Sequence, residues 1–257
     1  MARDQPISAR DVLKRIREEE IRFLDLKFVD LFGTLQHLTV PAEVVDEGSF
    51  RQGFGFDGSS VKGFQKISES DMLLLPDPNS VFLDPFFDDP ALSVFCDIVD
   101  PVKRAPYSRD PRGIARRAET FMRAQGIADN AFFGPEIEFF VFDEVSFDQA
   151  TQHGYYFLNS SAAFWNTGQK DSGPSLGHQA GRKQAYFAAP PIDAYNNLRS
   201  KISNVLRSTG IETELHHHEV AAAGQCEIGF RFGPLLLQAD ASIKYKYIVK
   251  NVVDRYG

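Results

Sequence analysis

The octapeptide Phe133-Gly134-Pro135-Glu136-Ile137-Glu138-Phe139-Phe140 constrains this chain more than any other stretch. It sets two carboxylates two residues apart in a run that also holds Phe132, Val141 and Phe142. Aromatic and branched residues favour a pleated, half-buried surface, so the run predicts a strand. Side chains at i and i+2 share a strand face, so Glu136 and Glu138 point the same way from a segment that favours burial. Like charges a few ångströms apart in a weakly polarisable environment repel strongly. A proton, an arginine or a divalent cation has to offset them, and hard cations take carboxylate oxygens. The plainer alternative is an antiparallel strand whose wet face carries both glutamates.

A second acidic segment runs Glu214-Leu215-His216-His217-His218-Glu219-Val220-Ala221-Ala222-Ala223-Gly224-Gln225-Cys226-Glu227. Its small residues ending in Ala223-Gly224-Gln225 predict a tight connection between two strands. Folding back there brings Glu219 and Glu227 towards each other. Beyond them, Glu227, Gly229 and Arg231 share one face of an alternating run.

The chain has 257 residues, 35 acidic against 28 basic, for a formal charge of −7. That length buries a substantial core. No basic stripe with interleaved aromatics is present, so nucleic acid is not an expected partner. Cys96 and Cys226 lie in apolar, strand-like contexts and are expected to be buried free thiols. The N-terminus is polar and charged, and no apolar run reaches the roughly 20 residues that span a bilayer. No membrane association and a cytoplasmic location are expected.

Ser8 is a predicted N-cap for a helix to about Glu19, with Val12, Leu13 and Ile16 on one face. A strand alternating at Leu24, Leu26 and Phe28, a turn at Phe32-Gly33-Thr34 and a return from Leu35 to Val40 predict a hairpin. Residues 47–66 read as a loop, and the runs at 72–75, 81–83 and 91–98 as strands. This first domain is small, α+β, and spans 1–105; the second spans 106–257. Asp110-Pro111 opens a helix that Gly126 ends. Residues 143–185 read as a long polar insertion. Asp193 is expected to cap a helix burying Leu198, Ile202 and Val205, with Gly210 as its stop. A last helix runs from about Leu236 to Arg255.

The two acidic segments, the loop Gly55-Phe56-Asp57-Gly58-Ser59-Ser60 and the stretch Ile67-Ser68-Glu69-Ser70-Asp71-Met72 together resemble glutamine synthetase of the bacterial type, in order and spacing, from about Ile21 to Gly257. The resemblance implies a small β-grasp-like N-terminal domain followed by the first half of an α/β catalytic domain with an antiparallel sheet. It implies an ATP-dependent glutamate–ammonia ligase working through γ-glutamyl phosphate, with two Mg²⁺ or Mn²⁺ ions per site. Glu138, Glu219 and Glu227 resemble the carboxylates of the metal nearer glutamate, and Glu136 one ligand of the metal nearer the nucleotide. Asp57 resembles the aspartate that takes a proton from ammonium, with Ser60 and Tyr186 in the same pocket. Glu214 and Phe232 resemble ATP contacts. The family assembles as homo-oligomeric rings such as dodecamers, in which the Asp57 loop completes the next subunit's site.

Two departures stand out. Ile137 replaces a common proline, and Arg182-Lys183-Gln184-Ala185-Tyr186 lacks the two glycines often found before the tyrosine. The family's later ligands have no counterpart in these residues, so the chain reads as an N-terminal half and is expected not to make glutamine alone. A non-catalytic oligomerising or regulatory protein, and a γ-glutamyl ligase for another amine, are the alternatives. Without the resemblance, Asp57 and Ser60 read as an ordinary Asp-Gly turn and Phe232 as a core aromatic. Consecutive strand residues alternate faces, so His216, His217 and His218 cannot all bind one ion; one or two are expected to orient the acids or the nucleotide. Asp171-Ser172-Gly173-Pro174 has the look of a serine nucleophile loop, but no partners for it are evident.

Overall fold

A computed structural model describes residues 6–167, 176–221 and 223–256, so the Asp171-Ser172-Gly173-Pro174 loop lies outside the described residues. The chain forms two compact units, Met1–Phe133 with Gly233–Tyr247, and Gly134–Phe232 with Ile248–Gly257.

In the first unit, α1 (Ala9–Glu18) starts at Ser8, whose hydroxyl accepts from the Asp11 amide while Asp11 accepts from the Ser8 amide. This reciprocal cap satisfies two otherwise orphaned donors. Val12 is buried, and Leu13 and Ile16 pack on the same core. β1 (Phe23–Val29) and β2 (Leu35–Pro41) form the hairpin, with Gly33 at φ +77° in its turn. β3 (Phe54–Asp57), β4 (Asp71–Pro76), β5 (Phe82–Leu83) and β6 (Ala91–Val99) complete a sheet of order β2-β1-β6-β4-β3, with β5 on β6. β1 and β6 run parallel and every other pair antiparallel. Leu24, Leu26, Met72, Leu74, Leu92, Val94 and Ile98 fill the core.

The expected loop at 47–66 is corrected. It holds α2 (Glu47–Gln52), β3 and a 3-10 turn at Gly58–Ser60. Asp46 caps α2 through reciprocal bonds with Ser49, a signal hidden by the glycine-rich composition around it.

α3 (Pro111–Ala124) begins at Asp110 as its spacing predicts. β7 (Phe132–Phe133) pairs with β13 (Gly233–Pro234), and α5 (Leu235–Tyr256) follows. Buried Arg112 contacts Asp77 at 2.7 Å, Asp97 at 2.6 Å and Asp240 at 2.9 Å.

In the second unit, β11 (Thr213–His218), β12 (Gln225–Phe230) and β8 (Glu138–Phe140) form an antiparallel sheet in that order, and α4 (Asn196–Ser208) packs against it. Three expectations are corrected here. The phenylalanine run is broken at 134–137, and β8 is a short edge strand with Glu138 and Phe140 exposed, because it has a neighbour on one side only. The insertion at 143–185 contains a hairpin, β9 (Glu144–Gln149) and β10 (Gly154–Asn159). Asp193 does not cap α4. Its carboxylate is taken by Arg199 at 2.9 and 2.5 Å, and α4 buries Leu206 with Leu198 and Ile202, leaving Val205 half-buried. Both cysteines are buried. Among the described residues no helix is long and apolar enough to cross a membrane.

Asp110 gives the first unit a pH dependence. Burial pushes its carboxyl from 3.8 to about 6, although the Ile98 and Arg112 amides donate to it. An acid with a raised folded pKa stabilises fully below its unfolded pKa, and that contribution is lost as pH climbs through about 6. The ionised buried carboxylate then costs roughly 3 kcal/mol at neutral pH. Asparagine keeps the cap without titrating. Asp110→Asn should therefore gain on the wild type by up to that amount between pH 4 and 7, read from urea unfolding. Parallel pH profiles would contradict the assignment.

Candidate metal centre

The sheet of the second unit has two unlike faces. Along β12, Cys226, Ile228 and Phe230 are buried, while Glu227 and Gly229 alternate with them. His216 lies on the helix side, its Nε2 3.2 Å from the Ser200 hydroxyl of α4. The opposite face carries a row set by register, with His217 opposite Glu227 and Glu227 opposite Glu138. Glu219 follows β11 directly, and its amide donates to the Gln225 carbonyl at 2.9 Å. Gly224 makes this return possible. It sits at φ +78°, and a Cβ there would strike the Tyr195 ring.

His217, Glu219 and Glu227 each place a ligand atom within 4.8 Å of the others. His217 Nδ1 is 3.3 Å from Glu219 Oε1, and its Nε2 is 3.6 Å from Glu227 Oε2. Glu138 Oε2 accepts from Gln225 Nε2 at 2.5 Å. Burial pushes the Glu227 carboxyl up, His217 works against this, and the charges of Glu219, Glu136 and Glu138 add to the rise. Three acids thus act on Glu227, although Glu136 lies outside any strand. The carboxylates of Glu219 and Glu227 with one imidazole form a donor group that suits a divalent ion, and the expected third carboxylate, Glu138, lies outside that group with Glu136.

The other side of the sheet is braced by Arg199, which sequence reading did not single out, and by Asp193, which it read as a cap. Arg199 and Asp193 form an ion pair with side chains 1% and 4% exposed, and Arg199 Nη1 also reaches Cys226 Sγ at 3.5 Å. An arginine inside the apolar stripe of α4, six residues after an aspartate, was the available signal. Gln225 was missed too. It holds Glu138 through its amide nitrogen, and its Oε1 accepts from the Ala221 amide.

Asp57 and Ser60 lie in the first unit. The exposed Asp57 carboxylate accepts from the Ser59 amide at 2.8 Å, the Ser59 hydroxyl at 2.6 Å and the Ser60 hydroxyl at 2.9 Å. Those bonds, the Ser59 hydroxyl first, hold its pKa below the usual carboxylate range. The Asp-Gly turn is real. Gly58 is buried against Met72, whose sulfur a Cβ would strike, so the loop is fixed rather than merely surface-exposed. Tyr186 stacks on Phe187 at 4.1 Å and meets the His217 ring edge-on at 5.6 Å. Glu214 sits where the β11–β12 register shifts, an irregularity that re-aims a side chain. Phe232 is 59% exposed, which corrects the reading of it as a core aromatic.

The family model described as glutamine synthetase, catalytic domain, matches residues 108–257, and that described as glutamine synthetase, beta-Grasp domain, matches 20–101. The chain belongs to the glutamine synthetase family. A glutamine synthetase of Methylococcus capsulatus is 48% identical over 98% of this chain and 54% of its own length. A 3-hydroxylaminophenol mutase of Cupriavidus pinatubonensis is 44% identical over 97% of this chain and 53% of its own. The Plasmodium falciparum glutamine synthetase structure superposes with a TM-score of 0.88 at 24% identity, covering 98% of this chain and 50% of that one. The fold is the family's: a β-grasp N-terminal domain with a mixed α+β catalytic domain. The chain spans about half the length of the curated relatives it matches.

Repulsion within the acid cluster is measurable without turnover. Glu227→Gln removes the carboxylate that burial and its neighbours disfavour. In chelator at pH 7 it should stabilise the chain by about 0.5–2 kcal/mol, a typical gain on relieving a functional strain. Millimolar Mn²⁺ should raise the wild-type melting temperature and leave the variant's unchanged. A destabilised variant would mean that Glu227 is a structural acid.

Proposed function

We propose that this chain contributes the metal-binding carboxylates and the ammonium-side aspartate of an ATP-dependent glutamate–ammonia ligase. The observation that carries the reading is the convergence of Glu219 and Glu227 with His217, in electrostatic reach of Glu136 and Glu138. In this reading residues 1–105 are the N-terminal domain and 106–257 part of the catalytic one. The setting is a cytoplasmic homo-oligomeric ring.

The reaction phosphorylates the side-chain carboxylate of glutamate from ATP, and ammonia then displaces phosphate from γ-glutamyl phosphate. Two Mg²⁺ or Mn²⁺ ions, when bound, neutralise charge on the transferring oxygens. Glu138, Glu219 and Glu227 would hold one, and Glu136 would share in the other. Glu214, at its register shift, and Phe232, exposed, are available to a nucleotide. Asp57 pairs with ammonium. Hydrogen bonds from Ser59 and Ser60 favour its ionised form, which suits it to bind the cation and accept the proton whose removal frees the nitrogen lone pair. Ser60 holds that carboxylate in place, and Tyr186 borders the pocket.

The mutase relative supports a second reading, in which a chain of this family acts on an aromatic hydroxylamine. One assay separates the two: phosphate release with ATP, Mg²⁺, glutamate and ammonium, beside hydroxylaminophenol conversion without ATP. The 257 residues alone should release no phosphate above background. Joined to the remainder of a full-length relative they should do so, and Glu227→Gln or Asp57→Asn should each lower the rate about 10²–10³-fold. Mixing those two inactive variants should restore partial activity if neighbouring subunits share a site. Phosphate-independent turnover of the hydroxylamine would favour the second reading instead.

A further inference from the structure

The stretch between β6 and α3 holds the segment that carries Asp57 at both of its ends. On one side Arg104, at φ +56°, caps α2: Nη1 donates to the Gln52 carbonyl at 2.7 Å and Nη2 to the Arg51 carbonyl. Helix ends leave such carbonyls without partners, and a cation suits them. Gly53 and β3 follow directly and lead to Asp57. On the other side the Phe64 carbonyl accepts from the Tyr107 hydroxyl at 2.7 Å and from Arg109 Nη1 at 2.8 Å, and Arg109 Nη1 also donates to the Gly63 carbonyl at 2.7 Å. Both lone pairs of the Phe64 oxygen are thereby used. The same peptide group carries the Gln65 N–H, which donates to the Gly58 carbonyl at 3.3 Å, beside Asp57. Hydrogen bonds on a peptide oxygen polarise its N–H, so the grip on Phe64 strengthens the contact at Gly58. The Val61 amide already closes a turn on that carbonyl, so the outer grip adds to what the turn itself requires. Its anchor is firm: Phe64 and Tyr107 are buried with their rings edge-on at 5.3 Å, and the Tyr107 amide donates to the Ile98 carbonyl of β6 at 2.8 Å.

We infer that Tyr107 and Arg109 are positioning residues for Asp57, fixing through the Phe64–Gln65 peptide the loop that presents its carboxylate to ammonium. The inference rests on the proposed role of Asp57 and adds what holds that loop in place. Arg109 is exposed, so replacing it leaves the core intact, and Tyr107→Phe keeps the buried ring while removing the hydroxyl.

The test has two parts. In the 257-residue chain, amide exchange by NMR should quicken about 2–10-fold at Ser59 and Gln65 in Tyr107→Phe and in Arg109→Ala, the range expected for a lost hydrogen bond. The Ser59 amide reports on Asp57 directly, since it donates to that carboxylate. Amides of β1 and β6 should keep their wild-type rates. In the chain joined to the remainder of a full-length relative, either variant should raise the KM for ammonium about 2–10-fold and leave the KM for glutamate unchanged, a split that general loss of folding would not produce. Arg109→Lys should lie between wild type and Arg109→Ala. Unchanged exchange at Ser59 and Gln65, or exchange that quickens equally across β1 and β6, overturns the positioning role. An unchanged ammonium KM in both variants, where Asp57→Asn lowers the rate, also overturns it and leaves the reading of Asp57 standing. A rate that Asp57→Asn does not lower overturns both.

Discussion

Glu227 lies on one face of a three-stranded sheet, where the charges of Glu136, Glu138 and Glu219 all disfavour its ionised form. Acids so placed drift apart unless the backbone beneath them is fixed. Here the backbone is fixed from the opposite face. Cys226, Ile228 and Phe230 are buried on the α4 side, and the Arg199–Asp193 pair is sealed there. Removing one partner of such a pair costs roughly 3–5 kcal/mol, so α4 resists any shift that would relax the acids. Gln225 ties Glu138 to the turn, and Gly224 lets that turn close. A sheet can carry mutually repelling acids on one face when its other face is a conventional core.

The first unit shows what acid clusters look like when they serve structure alone. Asp25, fully buried, would be driven to its neutral form by burial. Lys27 at 2.6 Å, His37 at 2.7 Å and Thr39 at 2.6 Å hold it below the usual range instead. Arg112 offsets three aspartates in the same way. In both cases a full cation lies within a hydrogen bond of the acids. At Glu227 the nearest candidate is an imidazole 3.6 Å away, too far to bond, and the carboxyl is pushed up. Incomplete compensation in a partly buried setting separates a site from a brace.

Much of this was legible in the sequence because it rests on local rules. Capping at Ser8 and Asp110, the Gly33 and Gly210 turns, and the β11–β12 return at Gly224 follow from residue type and spacing. The errors came where tertiary position overrode local pattern. The phenylalanines at 132, 133 and 140 suggested a buried strand, but β8 is a short edge and those rings are exposed. Asp193 looked like a cap, and its carboxylate instead pairs with Arg199, whose place in the apolar stripe of α4 was the signal passed over. The hairpin at 144–159 was overlooked because its face is polar-aromatic and wet rather than alternating with a core. The carboxylates were the easiest part of the site to find. Their supporting shell was hidden, since it depends on which faces meet.

Backbone strain is concentrated next to the cluster. Lys183 and Phe187 adopt φ of +57° and +55°, a region that costs a side-chain-bearing residue roughly 1–3 kcal/mol. They flank Gln184-Ala185-Tyr186, the stretch where the resembled family often has two glycines. Phe187 recovers part of the cost through its amide, which donates to the His218 carbonyl at 3.1 Å, and through its ring against His217. That same carbonyl faces His217 Nδ1. The strained segment therefore grips β11 at the residue pair that aims an imidazole at Glu227. Relaxing Phe187 to ordinary backbone angles would withdraw both contacts at once, so the strain and the placement of His217 stand or fall together.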